Sequence, residues 1–114
     1  MSIERFEDII AWQKALDLTV EIYNLFEKTN DFGFKDQIQR ASVSIMNNIA
    51  EGFERMSNNE FRHFLYVAKG SCGEVRSMLI LAKKLNKLPE EKADELKKIS
   101  LEISKMLSGL IKTL

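Results

Sequence analysis

Small and polar residues interrupt two otherwise helical segments, Ser44-Ile45-Met46-Asn47-Asn48-Ile49-Ala50-Glu51-Gly52 and Gly70-Ser71-Cys72-Gly73-Glu74. Both segments lie where apolar residues recur at three- and four-residue intervals, which is typical of amphipathic helices. A glycine inside a helix costs about 1 kcal/mol relative to alanine, so a packing or functional reason should offset it. We therefore expect these segments to mark the place where two helices approach each other closely.

The two segments are predicted to face each other across an antiparallel helical hairpin. A turn near Arg55 would place Arg40 opposite Ser71 and within reach of Glu74, because both helices rise equally per residue. The absent side chain of Gly70 would let the two backbones approach. The predicted structural polar seam consists of Arg40, Ser44, Asn48, Glu51, Gly70, Ser71 and Glu74.

A first helix is predicted before this hairpin. From about residue 3 to residue 28 the chain has no glycine or proline, and apolar residues recur at helical intervals. Residues 29–33 then break the pattern. The second helix follows, with apolar positions from Phe34 onward and a plausible end at Gly52.

Local signals also define the third and fourth helices. Ser57-x-x-Glu60 is a capping box, which predicts that the third helix starts there and runs to about Asn86. Pro89 suits the first turn of a fourth helix. Short connections between long helices favour antiparallel neighbours, so the sequence predicts an all-α, antiparallel up-down four-helix bundle. Residues 1–114 are expected to form a single domain.

Composition argues against several classes of protein. The 17 basic and 17 acidic side chains cancel, so no global field draws this 114-residue chain to nucleic acid or membrane. Cys72 is the only cysteine, which excludes an internal disulfide and suits a reducing compartment. The longest apolar run, residues 78–82, is far shorter than the roughly 20 residues that span a bilayer. With no hydrophobic signal at residues 1–5, the protein is predicted to be cytoplasmic, with no membrane partner.

The first helix is apolar over roughly 220° of its circumference, more than one bundle contact can bury. The side predicted to face the bundle comprises Ile9, Trp12, Leu16, Val20 and Tyr23. The opposite side, predicted to be an oligomer interface with another copy of the chain, comprises Ala11, Leu18, Ile22 and Leu25. The alternative is a helix buried between two neighbours of its own protomer.

Basic residues form a stripe on the third helix. Arg62, Lys69, Arg76 and Lys83 recur every seven residues and form a stripe about 30 Å long. Lys87 falls on the same line. Such a stripe could neutralise several phosphates, so these five residues are the predicted nucleic-acid-binding site. The alternatives are a solvated face, or attraction to the acidic arc of the first helix of a neighbouring copy.

Catalytic chemistry is not indicated. Glu60-x-x-His63 has the spacing of a di-iron motif, but such a site requires two copies and His63 is the only histidine. His63 also lies off the apolar face of its helix. Cys72 falls among apolar positions and is predicted to be an inert core thiol. We therefore predict no catalytic residue, no metal site, no cofactor and no small-molecule substrate.

Several motifs carry a family resemblance. They are Phe6-Glu7-Asp8, Ala11-Trp12-Gln13-Lys14-Ala15, Gln37-Ile38-x-Arg40-Ala41-x-Val43-Ser44-Ile45, Asn48-Ile49-Ala50-Glu51-Gly52 and Gly70-Ser71-x-x-Glu74. The chain resembles the four-helix-bundle proteins encoded in intervening sequences of bacterial 23S ribosomal RNA genes, and is distantly similar to the accessory proteins of diversity-generating retroelements. This resemblance implies a homopentamer, no known enzymatic activity and a role with nucleic acid.

The leading hypothesis is therefore a non-enzymatic, oligomeric bundle associated with ribosomal RNA or another nucleic acid through the basic stripe. The competing hypothesis is a structural or protein-partner module that binds no nucleic acid. In that case the stripe would serve contacts between subunits.

Overall fold

The computed structural model describes residues 3–114, which contain four long helices and no strand. The helices are α1 (Ile10–Leu25), α2 (Phe32–Phe53), α3 (Asn58–Lys84) and α4 (Glu90–Lys112). Each packs against the helix before it and the helix after it, and α1 and α4 close the ring. The predicted all-α four-helix bundle is confirmed.

Side-chain caps define the start of α2 and of α3. Asp31 accepts a hydrogen bond from the backbone N–H of Phe34 at 3.2 Å, and Ser57 accepts one from the N–H of Glu60 at 3.1 Å. The start predicted from Ser57 is confirmed. The Ser57 hydroxyl lies 3.4 Å from the Glu60 carboxylate, so the glutamate reaches back to the hydroxyl of the cap.

The end of α3 is set by one left-handed residue. Asn86 has a φ of 57°, a conformation that asparagine tolerates better than most residues. The following N–H, of Lys87, donates to the carbonyl of Ala82 at 2.8 Å, which is the bond pattern of a Schellman motif. The chain therefore reverses direction here without a glycine.

The first helix begins at Ile10, later than predicted. Residues Phe6–Asp8 form a 3₁₀ turn instead, and Ile9 has an extended backbone with φ −76° and ψ 119°. The ring of Phe6 meets the ring of Trp12 edge-on, with centroids 5.2 Å apart. This contact folds the turn back against the first turn of α1.

All four helices contribute to one apolar core. Burial of one leucine or isoleucine side chain is worth about 1.5–3 kcal/mol, so the core supplies the main favourable free energy of folding. The largest fully buried side chains include Leu18 and Ile22 of α1, Ile38, Ile45 and Ile49 of α2, Leu65, Val75 and Leu79 of α3, and Leu96, Ile103 and Leu107 of α4.

The position of α1 between α2 and α4 accounts for its wide apolar arc. Two of its residues predicted to face the bundle, Val20 and Tyr23, are instead 52% and 44% exposed. The predicted oligomer interface is wrong as an outer surface, because its side chains belong to the core of the protomer. These residues are Ala11, Leu18 and Ile22, which are buried, and Leu25, which is partly buried against them.

Close helix approach occurs at Gly52 and not at Gly70. A Cβ atom at Gly52 would lie 2.7 Å from the Cβ of Phe64 and 3.0 Å from the Cδ1 of Phe61, both on α3. A Cβ at Gly70 would meet no atom within 4 Å. The expected tight packing at Gly70 is therefore wrong within the protomer, whereas Gly52 is required by the packing of α2 against α3.

Two glycine-to-alanine substitutions should have opposite effects on stability. Gly52→Ala should lower the free energy of unfolding by about 1–3 kcal/mol, because the added methyl group overpacks the contact with Phe61 and Phe64. Gly70→Ala should raise it by up to about 1 kcal/mol through helix propensity. Urea unfolding monitored by circular dichroism measures both changes. Equal effects of the two substitutions would contradict the packing described here.

Candidate nucleic-acid interface

The basic stripe of α3 lies along the edge of α4. At one end, Arg62 donates to the backbone carbonyl of Leu114 and, at 2.8 Å, to the side-chain oxygen of Asn59. At the other end, Lys83 contacts Asp94 in the second turn of α4. The stripe therefore follows the α3–α4 boundary for most of its length.

Two of the five predicted phosphate-binding cations are occupied by carboxylates of the same chain. Lys83 Nζ lies 3.0 Å from Asp94 Oδ1 and 3.2 Å from Glu90 Oε1. Lys87 Nζ lies 3.0 Å from Asp31 Oδ2 and 5.3 Å from the centroid of the Phe34 ring. Lys83 thus joins α3 to α4, and Lys87 joins the α3–α4 connection to the residue that caps α2. At this end a phosphate would compete with internal carboxylates, and the five-residue site stays a prediction.

The ion pairs shift the pKa of Lys83, Asp94 and Asp31. Hydrogen bonding to Asp94, and then to Glu90, raises the pKa of Lys83. Hydrogen bonding to Lys83 lowers the pKa of Asp94, and hydrogen bonding to Lys87, followed by the Phe34 N–H, lowers the pKa of Asp31. The Lys83–Asp94 pair thus favours the charged forms of both partners, and the Lys87–Asp31 pair favours the ionised form of Asp31.

The middle of the stripe remains available. Lys69 and Arg76 are partly exposed, and neither forms an ion pair with any residue from 3 to 114. They are seven residues apart on one helix, a separation of about 10 Å along its axis. These two side chains are the part of the predicted site that could receive phosphate groups without breaking an internal ion pair.

The predicted polar seam forms around three of its seven members. The hydroxyls of Ser44 and Ser71 lie 2.8 Å apart, joining α2 to α3. Asn48 Nδ2 donates to the carbonyl of Ser44 at 2.8 Å and to its hydroxyl at 3.0 Å. Ser44 therefore lies opposite Ser71, where the sequence had predicted Arg40.

The other seam members lie elsewhere, and that part of the prediction is wrong. Arg40 pairs with Asp36 at 2.9 Å, one turn earlier on α2. Glu51 pairs with Arg55 at 3.1 Å. Glu74 and Gly70 are exposed on α3. The observed seam is thus a short hydrogen-bonded cluster and not a continuous polar line.

Sequence reasoning missed a second set of polar contacts inside the core. Thr19 Oγ1 lies 2.7 Å from the Ala15 carbonyl and 3.1 Å from the Ser42 carbonyl, which links α1 to α2. Ser100 Oγ donates to the Cys72 carbonyl at 2.9 Å and links α4 to α3. The available signal was position, because Ser100 occupies a place in the apolar face of α4 between Leu96 and Ile103.

The side chains with reactive chemistry are dispersed. Cys72 is buried, and burial raises the pKa of its thiol to about 11, which disfavours the thiolate. His63 is exposed, with its ring edge-on to Phe64 at 5.3 Å between centroids. No group of three or more His, Cys, Asp and Glu residues in the described part of the chain is placed to hold a metal ion.

A cavity of about 530 Å³ lies at the end of the bundle near the α2–α3 connection. Its lining includes Phe53, Met56, Phe61, Leu110 and Leu114. Arg55 also lines it, but the guanidinium is already held by Glu51 at 3.1 Å and Glu60 at 3.5 Å. The cavity is mainly apolar and offers no arrangement of acid and base that we can assign to catalysis.

Exposed apolar side chains are concentrated on α3 and at its C-terminal end. Five of the exposed large apolar side chains are there, namely Tyr66, Val67, Ile80, Leu81 and Leu85, whereas others such as Val20, Phe32 and Leu101 are on the remaining helices. None of the helices described for residues 3–114 combines the length and apolar character needed to cross a membrane. Four of the five exposed apolar residues, Tyr66, Val67, Ile80 and Leu81, are on the helix that carries the basic stripe and are referred to below as the apolar surface of α3.

Comparisons with known proteins agree with this architecture. A family model described as 23S rRNA-intervening sequence protein matches residues 7–109. The chain is also similar to a crystal structure of a protein with unknown function from the S23 ribosomal protein family, from Bacteroides thetaiotaomicron. The TM-score is 0.84 at 28% sequence identity, covering 90% of this chain and 98% of that chain. No curated protein matches the chain.

Acid should weaken the two ion pairs that join Lys83 to Asp94 and Lys87 to Asp31. Both aspartates have a pKa below their ordinary value of 3.8, so their stabilisation is present above that value and is lost as pH falls through the folded-state pKa. Unfolding by urea between about pH 6 and pH 2.5 should therefore show falling stability at the acid end. The variant D31N/D94N should lose less stability across the same range, and an unchanged pH dependence would contradict this assignment.

Proposed function

The chain belongs to the 23S rRNA-intervening sequence protein family, and we propose that it is a non-enzymatic, self-associating bundle that binds RNA through α3. The observation that carries this proposal is the pair Lys69 and Arg76, two cations on one rigid helix that have no carboxylate partner in residues 3–114. RNA associated with the ribosome is the ligand that the family name suggests.

The charge distribution supports a local basic site on a protein whose total formal charge is zero. Residues 58–88 carry six basic and two acidic side chains, whereas residues 1–30 carry three basic and six acidic side chains. A polyanion is therefore attracted to one side of the bundle and repelled from the other. Binding of this kind releases counterions, so affinity should fall steeply with salt concentration.

Self-association is supported by the exposed apolar residues of α3. A second copy of the chain offers a complementary surface in the exposed Val20 and Tyr23 of its α1. Contact between two different surfaces of one chain is heterologous, and repetition of it closes a ring when the rotation between copies allows. A homopentamer, implied by the resemblance described above, is one such ring.

The second candidate function is a structural or protein-partner module that binds no nucleic acid. The observation that favours it is the internal use of the stripe, since Arg62, Lys83 and Lys87 all contact groups of the same chain. A stripe used in this way could have arisen for packing and subunit contacts alone.

RNA binding can be tested by filter-binding titration with structured ribosomal RNA across a series of salt concentrations. The wild-type protein should bind at low salt, and K69E/R76E should weaken binding at least about tenfold because two phosphate contacts become repulsive. K14E/K28E, in the acidic segment of residues 1–30, makes the same charge change and is the matched control. No binding by the wild-type protein at low salt would favour the protein-partner module. Equal losses in the two double variants would place binding outside α3.

Self-association can be tested by sedimentation velocity at micromolar concentration. The wild-type protein should sediment as an oligomer, and V67E/L81E should shift it toward monomer by placing charges within the apolar surface of α3. M56E is a control, because Met56 is exposed but lies in the α2–α3 connection. A strictly monomeric wild-type protein would contradict the proposed assembly, and an unaffected V67E/L81E oligomer would contradict this surface.

A further inference from the structure

A second row of cations lies on α4, outside the predicted site. Lys98, Lys105 and Lys112 recur every seven residues, so they share one side of the helix over about 21 Å. All three are exposed, and none forms an ion pair within the described part of the chain. Residues 97–112 contain four lysines and one glutamate, so this part of α4 is basic in its own right.

The contacts between α3 and α4 show how the two rows are placed. Arg62 lies level with Leu114, and Lys83 lies level with Asp94, as expected of antiparallel helices. Equal rise along both helices then puts Lys69 near the level of Ser108, and Arg76 near the level of Leu101.

Each α4 lysine is therefore displaced along the bundle axis from its nearest α3 cation. Lys105 falls between the levels of Lys69 and Arg76, and Lys112 falls between the levels of Arg62 and Lys69. The cations of the two helices alternate along the α3–α4 boundary. Neighbouring packed helices have axes about 8–10 Å apart, so the two rows arise from backbones held side by side at that axial distance.

We infer that the two rows together form one binding site for double-stranded RNA, with each row receiving phosphates from a different strand. This inference rests on the proposed RNA-binding function and names the class of RNA. Double-stranded RNA displays two phosphate backbones on either side of a wide, shallow minor groove, and proteins recognise it through shape and backbone contacts. Two parallel rows held by rigid helices match that arrangement better than they match one flexible strand.

The other side chains of α3 and α4 near the two rows also favour a duplex over a single strand. Single-stranded nucleic acid is held largely by stacking of bases on aromatic rings. In the described structure the exposed aromatic side chains on α3 are Tyr66 and His63, and α4 has none. The two rows therefore offer positive charge and hydrogen-bond donors to phosphates. They lack an array of aromatic side chains on which unpaired bases could stack.

The closing experiment compares two RNA probes and three protein variants by fluorescence anisotropy. One probe is an RNA hairpin stem of about 16 base pairs, and the other is an oligouridine of the same nucleotide count. The variants are K98Q/K105Q on α4, K69Q/R76Q on α3 and the matched control K14Q/K28Q, with Lys14 on α1 and Lys28 in the connection that follows it. Each variant removes two positive charges without introducing a negative one.

The inference expects the hairpin to bind at least about tenfold more tightly than oligouridine at equal salt. It also expects K98Q/K105Q and K69Q/R76Q to weaken hairpin binding similarly, each lowering the slope of log affinity against log salt by about two. K14Q/K28Q should bind like the wild-type protein.

The other outcomes separate this inference from the function on which it rests. If K69Q/R76Q weakens binding and K98Q/K105Q does not, the two-row site is overturned and RNA binding by α3 stands. If oligouridine binds as tightly as the hairpin, the assignment to duplex RNA is overturned. If neither probe binds the wild-type protein at low salt, the inference and the proposed function both fail. Circular dichroism of each variant shows whether the fold is retained.

Discussion

The contact of Gly52 with Phe61 and Phe64 determines how α2 and α3 are aligned. Since glycine leaves room for these two rings, the end of α2 lies level with the second turn of α3, and the first turn of α3 projects beyond it. That alignment brings Ser44 to Ser71, where equal spacing about the loop had predicted Arg40. A shift of one helical turn changes which polar side chains meet, so the hydrogen bonds between these helices follow from one close packing contact.

The sequence predicted the fold more completely than it predicted surfaces. The apolar periodicity and the Ser57 cap are local signals, and they correctly indicated four helices and the start of α3. The side of α1 that faces the bundle was not predictable in the same way. An arc of roughly 220° contains two candidate faces, and only the placement of α1 between α2 and α4 selects Leu18 and Ile22 as core residues.

The candidate site shows the same division between local and long-range information. Seven-residue spacing correctly placed Arg62, Lys69, Arg76 and Lys83 along one helix edge, because periodicity is a property of a single element. The carboxylates that bind the terminal cations lie on other elements, with Asp31 before α2 and Asp94 in α4. Spacing within α3 carries no information about those partners. Likewise, the sequence shows that Ser100 occupies an apolar position of α4 but does not show its partner. The structure identifies that partner as the Cys72 carbonyl on α3.

Folding accounts for some of the basic residues of the α3–α4 boundary and leaves others unexplained. Lys83 joins α3 to α4, and Lys87 joins the α3–α4 connection to Asp31 before α2. Elsewhere on α4, Lys92 pairs with Glu21 of α1. Lys69, Arg76, Lys98 and Lys105 have no such partner in residues 3–114, yet they bring like charges together along one boundary. Clustered like charges repel, and isolated exposed lysines contribute little to stability. The proposed polyanionic ligand would account for this arrangement, and a ligand with two charged strands, as inferred above, would account for its two rows.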